Sequence, residues 1–248
     1  MTALAAASAH SEPMSTIIVA LDLPDARPAL HLVERLGTAV DWYKVGSQLF
    51  TAAGPDLVRA LKNRGKRVFL DLKYHDIPST VARAIQAARA LDVDMLTVHA
   101  SGGSAMLRAA REAAGPDGPL LIGVTVLTSF APADLEEAWG RELRSLREEV
   151  ARLAALAADA GLDGVVASAV EVETIKRRHG PAFRVVTPGI RPAGEAAADQ
   201  VRTATPAEAA RAGADFLVIG RSIAGAPDPV AAVERISSEI AGQASAPA

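Results

Sequence analysis

Arg67-Val68-Phe69-Leu70-Asp71-Leu72-Lys73-Tyr74-His75-Asp76-Ile77-Pro78 is the stretch on which the reading of this chain turns. Arg67–Leu72 is apolar and rich in strand-forming residues. After the turn at Pro78 comes an Ala-rich run, Thr80–Ala90, whose apolar residues recur at helical spacing. The unit is therefore a strand followed by a helix, with charged residues at the joint. Side chains alternate between the faces of a strand, so Asp71 and Lys73 point the same way if the strand persists through them. Asp76 follows at the turn. Two carboxylates and an ammonium in one small region are costly to bury unless they are paired or used.

The same alternation runs along the rest of the chain. Strands are expected at Thr16–Leu21, Trp42–Val45, Arg67–Leu72, Met95–His99, Leu120–Leu127, Gly164–Ala167, Arg184–Thr187 and Phe216–Ile219. They are mostly solid apolar runs, as strands covered by helices are. Helices are expected at Pro28–Leu36, Pro55–Arg64, Thr80–Ala90, Ser104–Ala114 and Leu146–Ala160, several of them followed by a glycine stop. Eight β–α units in about 230 residues point to an α/β fold, a (β/α)8 TIM barrel. A doubly wound open sheet is the alternative, since periodicity does not show closure. The turn after the first strand, Asp22-Leu23-Pro24-Asp25, carries no glycine-rich dinucleotide fingerprint.

Composition narrows the class. The chain has 248 residues, half of them hydrophobic, with 26 basic and 29 acidic side chains and a net charge of −3. Such a balance gives no basic surface for nucleic acid. Cysteine is absent, which excludes disulfides and thiolate metal sites. No apolar run approaches the ~20 residues of a membrane span. Residues 1–14 lack the basic start and apolar stretch of a signal peptide and read as a disordered tail, as do residues 242–248. One catalytic domain over 15–241, in the cytoplasm, is the expectation.

In a barrel the polar residues at strand C-termini are the ones to suspect. Here they are Asp22, Lys44, Asp71, Lys73, Asp76, His99, Ser101, Thr128, Ser168, Pro188-Gly189 and Gly220-Arg221. Singly, each reads as a strand-end hydrogen bond or surface ion pair. Three aspartates and two lysines of alternating sign at one mouth are harder to dismiss. Gly220 and Arg221 after the last strand, with Arg191 and Gln200 in the preceding loop, suit a phosphate. His99 and His75 read as structural, and Trp42 and Tyr43 as packing. No His/Asp/Glu spacing is diagnostic of a metal. Two polar segments, Ser129–Arg144 and Arg191–Arg202, are lid candidates.

Seven segments in order resemble the orotidine 5′-phosphate decarboxylase family. They are Val19–Asp22, Tyr43–Gly46, Phe69–Pro78, Val98–Gly103, Val124–Ser129, Thr187–Pro192 and Val218–Arg221. The resemblance implies cofactor-free and metal-free decarboxylation of orotidine 5′-monophosphate (OMP) to UMP. It implies a charged catalytic core of Asp71, Lys73, Asp76 and Lys44, with Lys73 stabilising and protonating the carbanion. Asp22 and Lys44 are expected on the ribose hydroxyls, Thr128 and Pro188 at the pyrimidine, and Arg191, Gln200, Gly220 and Arg221 on the phosphate. Asp76, Ile77 and Thr80 are expected to reach the neighbouring site of a homodimer. Related sugar-phosphate decarboxylases and synthases share Asp-x-Lys-x-x-Asp but use Mg2+ and, by the same resemblance, carry an acid where this chain has Lys44. A non-catalytic phosphate-binding barrel is the remaining alternative, and it has no need of Lys73.

Overall fold

The computed structural model describes residues 15–193 and 202–244. Its strands are β1 (Thr16–Ala20), β2 (Trp42–Gly46), β3 (Arg67–Tyr74), β4 (Met95–His99), β5 (Leu120–Val124), β6 (Gly164–Val166), β7 (Arg184–Thr187) and β8 (Phe216–Ile219). Each pairs in parallel with the next. β8 then returns to β1 through Thr16↔Phe216 and Val19↔Ile219, so the sheet closes. Closure decides for the (β/α)8 barrel over the open sheet.

The helices between the strands are α1 (Ala26–Leu36), α2 (Ser47–Lys62), α3 (Pro78–Arg89), α4 (Gly103–Ala114), α5 (Pro132–Trp139), α6 (Leu146–Asp159), α7 (Ala169–His179), α8 (Pro206–Arg211), α9 (Arg221–Ala224) and α10 (Pro229–Ala244). Within α2, Gly54 takes φ 64° and breaks the helix, so the stretch from Pro55 that reads as a helix is its second half. Gly115 and Gly180 end α4 and α7 at φ 70° and 84°, where a side chain would be strained.

The larger differences from the sequence reading are these; β1, β2 and β6 end within one residue of it. β3 runs two residues further, to Tyr74, and β5 stops at Val124 rather than Leu127. The Ser129–Arg144 segment contains α5, whose Leu135 is buried in the main core and whose Trp139 packs partly against it; a mostly polar sequence had concealed the helix. The last helix continues to Ala244, three residues past the expected end of the domain, because Ile236 and Ile240 hold it to the core. Residues 1–14 and 245–248, read as tails, lie outside the described residues.

Alternation along the strands separates two apolar cores. Ile18, Ala20, Trp42, Phe69, Met95, Ile122, Val186 and Val218 form one cluster. Their neighbours Val19, Tyr43, Val68, Leu70, Leu96, Leu121, Val185 and Leu217 join the helices in the other. The first cluster fills the barrel, with Trp42 and Phe216 in edge contact at 5.4 Å, and leaves no pore. Polar side chains on the inward face therefore emerge only above it, at the strand C-termini.

The opposite end carries a repeated device. An apolar residue followed by Asp precedes every even-numbered strand: Val40-Asp41, Val93-Asp94, Leu162-Asp163 and Ala214-Asp215. The Asp94 carboxylate accepts the Val68 N–H at 2.8 Å and Lys62 Nζ at 2.7 Å. Asp163 accepts the Leu121 N–H at 2.8 Å and Arg111 at 2.7 Å. Asp215 accepts the Val185 N–H at 2.7 Å, Lys176 at 2.6 Å and Arg184 at 3.0 Å. Each carboxylate thus satisfies an odd strand's amide and draws in a helix cation. At Asp41 the side chain lies at the surface instead, 4.0 Å from Lys66. Asp215→Ala removes one side of a largely buried cluster and should cost about 2–3 kcal/mol, read as a lower urea midpoint. Because the cluster sits at the far end from the mouth, turnover of the folded fraction should not change. An unshifted midpoint would show the clamp to be ornamental.

Candidate active site

The inward faces of the strands end in a cavity of about 680 Å³ at the C-terminal mouth. One side is charged, with Asp22, Lys44, Asp71 and Lys73. A belt of valines and Phe69 forms the floor. Arg191, Gly220 and Arg221, from the segments after β7 and β8, complete the lining together with Pro188 and Gly189. This wall adjoins the charged side at Asp22, whose Oδ2 lies 3.8 Å from where a Cβ on Gly220 would stand. The site thus combines an apolar floor with charged groups of both signs, which suits a ring carrying anionic groups.

The charged side is a chain of alternating sign. Asp22 Oδ1 accepts Lys44 Nζ at 2.9 Å, Lys44 Nζ lies 3.7 Å from Asp71 Oδ2, and the same oxygen accepts Lys73 Nζ at 2.8 Å. Asp71 is 8% exposed and Lys44 is also largely covered. Asp71 and Lys44, the two covered members, each lie between charges of opposite sign, while Asp22 and Lys73 at the ends are more exposed.

Asp71 and Lys73 meet, although not by regular alternation. The β3–β4 register slips between Leu70↔Leu96 and Tyr74↔Val98, and Lys73 takes φ 52°. The extra residues make a bulge that turns the Lys73 side chain back over Asp71. Thr97 of β4 fills the gap in the ladder. Its hydroxyl donates to Asp71 Oδ1 at 3.0 Å and accepts the Lys73 N–H at 2.9 Å. The sequence reading missed Thr97. The available signal was a lone polar residue within the apolar run Met95–Val98, facing inward with Met95.

With the fold and this geometry in view, comparison with known proteins is decisive. Residues 15–236 match the family described as "Orotidine 5'-phosphate decarboxylase / HUMPS family". The chain belongs to this family. It is 54% identical over 231 residues to a protein of Moorella thermoacetica named orotidine 5'-phosphate decarboxylase, covering 90% of this chain and 91% of that one. A protein of the same name from Vibrio cholerae is 50% identical, with 90% and 97% covered. Among solved structures, an orotidine 5'-phosphate decarboxylase from Lactobacillus acidophilus superposes with a TM-score of 0.81 at 37% identity, over 91% of this chain and 99% of that chain.

Family membership sharpens where the remaining expected residues stand. Thr128 lines the cavity and is buried. Arg191 lines it too, with its guanidinium on the Ile190 carbonyl at 3.2 Å. Gly220 caps α9, a helix of a single turn, so an anion at Gly220 would gain little from a helix dipole. A Cβ at Gly220 would meet Ala20 at an ordinary 3.5 Å, so packing within the chain does not by itself demand glycine. Gln200 lies outside the described residues, as does most of the Arg191–Arg202 segment.

Asp76, Ile77 and Thr80 stand apart from the cavity of their own chain. Asp76 is exposed at the turn before α3 and accepts the Ile77 N–H at 2.6 Å, and Ile77 is 64% exposed. Asp71 and Lys73 line the cavity and Asp76, exposed three residues past Lys73, does not. Among the described residues no three His, Asp or Glu side chains gather as a metal site requires.

His99 ends β4 beside His75, their rings 5.4 Å apart. Burial pushes the His99 imidazole below its ordinary 6.5, and the nearby His75 and Lys73 push it further, against an opposing pull from Asp71. A base whose pKa is lowered by folding takes up its proton more readily when unfolded. Its neutral form therefore contributes stability above pH 6.5 that is lost as the pH falls through the lowered folded value. His99→Gln should flatten that part of the urea-midpoint profile; an unaltered slope below pH 6.5 would place the titrating group elsewhere.

Proposed function

We propose that this chain catalyses the cofactor-independent decarboxylation of OMP to UMP in pyrimidine nucleotide synthesis. Kinship with proteins named orotidine 5'-phosphate decarboxylase over nine-tenths of the chain supports the reaction. The observation that carries it is that the Asp22–Lys44–Asp71–Lys73 array and two arginines line one cavity.

In this reading the phosphate lies against Arg191, Gly220 and Arg221, with Gln200 reaching from the same loop. The ribose hydroxyls meet Asp22 and Lys44, and the pyrimidine rests between Thr128 and Pro188. The ring carbon bearing the carboxylate then points at Asp71 and Lys73. The C6–carboxylate bond breaks with its electron pair left on C6, and neutral CO2 departs. Lys73 Nζ stabilises the carbanion and gives it a proton, and the neutral amine is reprotonated from solvent. Repulsion between Asp71 and the substrate carboxylate, roughly 4 kcal/mol for two charges 4 Å apart at an effective dielectric of 20, is relieved as CO2 leaves. That is small beside the ~8–23 kcal/mol that enzymes remove from barriers. Electrostatic stabilisation by a prearranged Lys73 supplies the larger share, supported by phosphate contacts that help hold the ring in place.

Lys44 supports the metal-free reading over the Mg2+-dependent sugar-phosphate chemistry. Its ammonium occupies the space between two carboxylates where a divalent ion would otherwise be held. The outward position of Asp76 and the exposed Ile77 support a homodimer in which these residues and Thr80 complete the partner's site. None of the described helices is long and apolar enough to cross a membrane, in keeping with a cytoplasmic place.

Lys73→Ala should lower the rate of OMP loss, followed by ultraviolet absorbance, by at least about 10³-fold while leaving the circular dichroism spectrum intact. EDTA should not affect the wild-type rate. Near-normal turnover of the variant would sink the assignment, and EDTA sensitivity would favour the metal-dependent reaction. Lys73→Ala and Asp76→Ala homodimers, each inactive, should regain about a quarter of wild-type activity per site when subunits are exchanged, because each mixed dimer restores one intact site. No recovery would confine Asp76 to its own subunit.

A further inference from the structure

We infer that Thr97 is a positioning residue for the reaction, an inference that rests on the function proposed above. Its hydroxyl ties the Asp71 carboxylate to the Lys73 backbone and so sets where the Lys73 ammonium stands.

Thr97 is fully buried and does not line the cavity, so it acts through its neighbours. It occupies the point where the β3–β4 ladder is broken. Between Leu70↔Leu96 and Tyr74↔Val98, three residues of β3 stand against Thr97 alone. A bulge of that size leaves strand amides without ladder partners. The Thr97 hydroxyl takes one of them, the Lys73 N–H, at 2.9 Å. Lys73 has φ 52°, a conformation that residues with side chains adopt only when their surroundings hold them there. The amide bond to Thr97 is one such restraint.

The other half of the hydroxyl is equally committed. Its single proton goes to Asp71 Oδ1 at 3.0 Å, which leaves Oδ2 for Lys73 Nζ at 2.8 Å and Lys44 at 3.7 Å. A hydroxyl has one donor and accepts through its lone pairs, so both of its duties here are compatible only in this orientation. With it the carboxylate plane is fixed, and one oxygen always faces the ammonium. Without it the buried Oδ1 and the Lys73 amide both lose their partner. The carboxylate is then free to turn, and the bulge is free to relax towards a regular strand.

Thr97→Val keeps the shape and deletes the hydroxyl, and Thr97→Ser keeps the hydroxyl. The Thr97→Val kcat for OMP should fall about 10- to 100-fold, with KM close to wild type. Thr97→Ser should restore kcat to within about threefold, as a hydroxyl-specific role requires. A crystal structure of Thr97→Val should show Lys73 leaving its positive φ or Nζ leaving Asp71 Oδ2. Thr97→Ala serves in the same assays if the valine variant does not fold. An unchanged kcat in the hydroxyl-free variant overturns the inference, as does an equal loss in Thr97→Ser or an unaltered Lys73–Asp71 geometry. If the wild-type protein does not decarboxylate OMP, the proposed function falls, while the variant crystal structure still decides whether Thr97 holds the pair.

Discussion

The carboxylate of Asp71 is the group around which the mouth of this barrel is arranged. It is almost fully buried, and an isolated ion in that place would protonate or unfold the site. Both of its oxygens are committed, one to Thr97 and the other to Lys73 with Lys44 behind it. Lys44 is in turn held by Asp22. Remove the central carboxylate and the covered Lys44 ammonium and the half-buried Lys73 ammonium lose the charge between them. The alternation of sign is therefore a condition for covering Asp71 and Lys44, and it also leaves a cation at a cavity large enough for a nucleotide.

Barrel closure divides the labour between the two ends. The interior is plugged by apolar side chains, so no polar group can be accommodated at mid-height. Below the plug, Asp94, Asp163 and Asp215 stitch strand amides to helix cations, and none of them lines the cavity. Above it, the inward positions become charged. Among the described residues a positive φ outside glycine occurs at Lys73, inside β3 at this upper end, and at Asp92, in the turn before β4 at the lower one. A rigid lower end lets the upper end hold such a conformation without loss of register elsewhere.

Much of this was legible in the sequence because period and position carry it. Eight apolar runs separated by helical patterns identified the strands, three of them to the residue. Polar residues at strand ends located Asp22, Lys44, Asp71, Thr128 and Arg221 in one cavity. What was not legible depended on register and closure. Strict alternation brought Asp71 and Lys73 together for the wrong reason, since a bulge does so in fact. Thr97 looked like one strand residue among apolar neighbours, because its importance exists only once β4 lies beside the bulge. The Asp that precedes each even strand went unread in the sequence, because its carboxylate acquires a role only across the neighbouring strand.

The wall proposed for the phosphate has its own restraint, separate from the Asp71 pairings. The two stems of the segment after β7 are bridged: the Arg191 N–H donates to Ala204 O at 2.9 Å, and the Ala204 N–H to Gly189 O at 3.2 Å. Arg202, at the far stem, pairs with the buried Glu171 at 2.5 Å and donates to the Val126 and Leu127 carbonyls at 3.3 Å each. Burial pushes Glu171 upward, and Arg202 opposes that rise, so the pair holds the stem to α7 and to the loop after β5. Arg191 therefore starts from a fixed base, and ordering it on a phosphate costs little conformational entropy. Whatever the residues between the stems contribute, the distance from Arg191 to Lys73 is set by the barrel. In the proposed function, a phosphate held by Arg191 would in this way fix where the ring stands relative to Lys73.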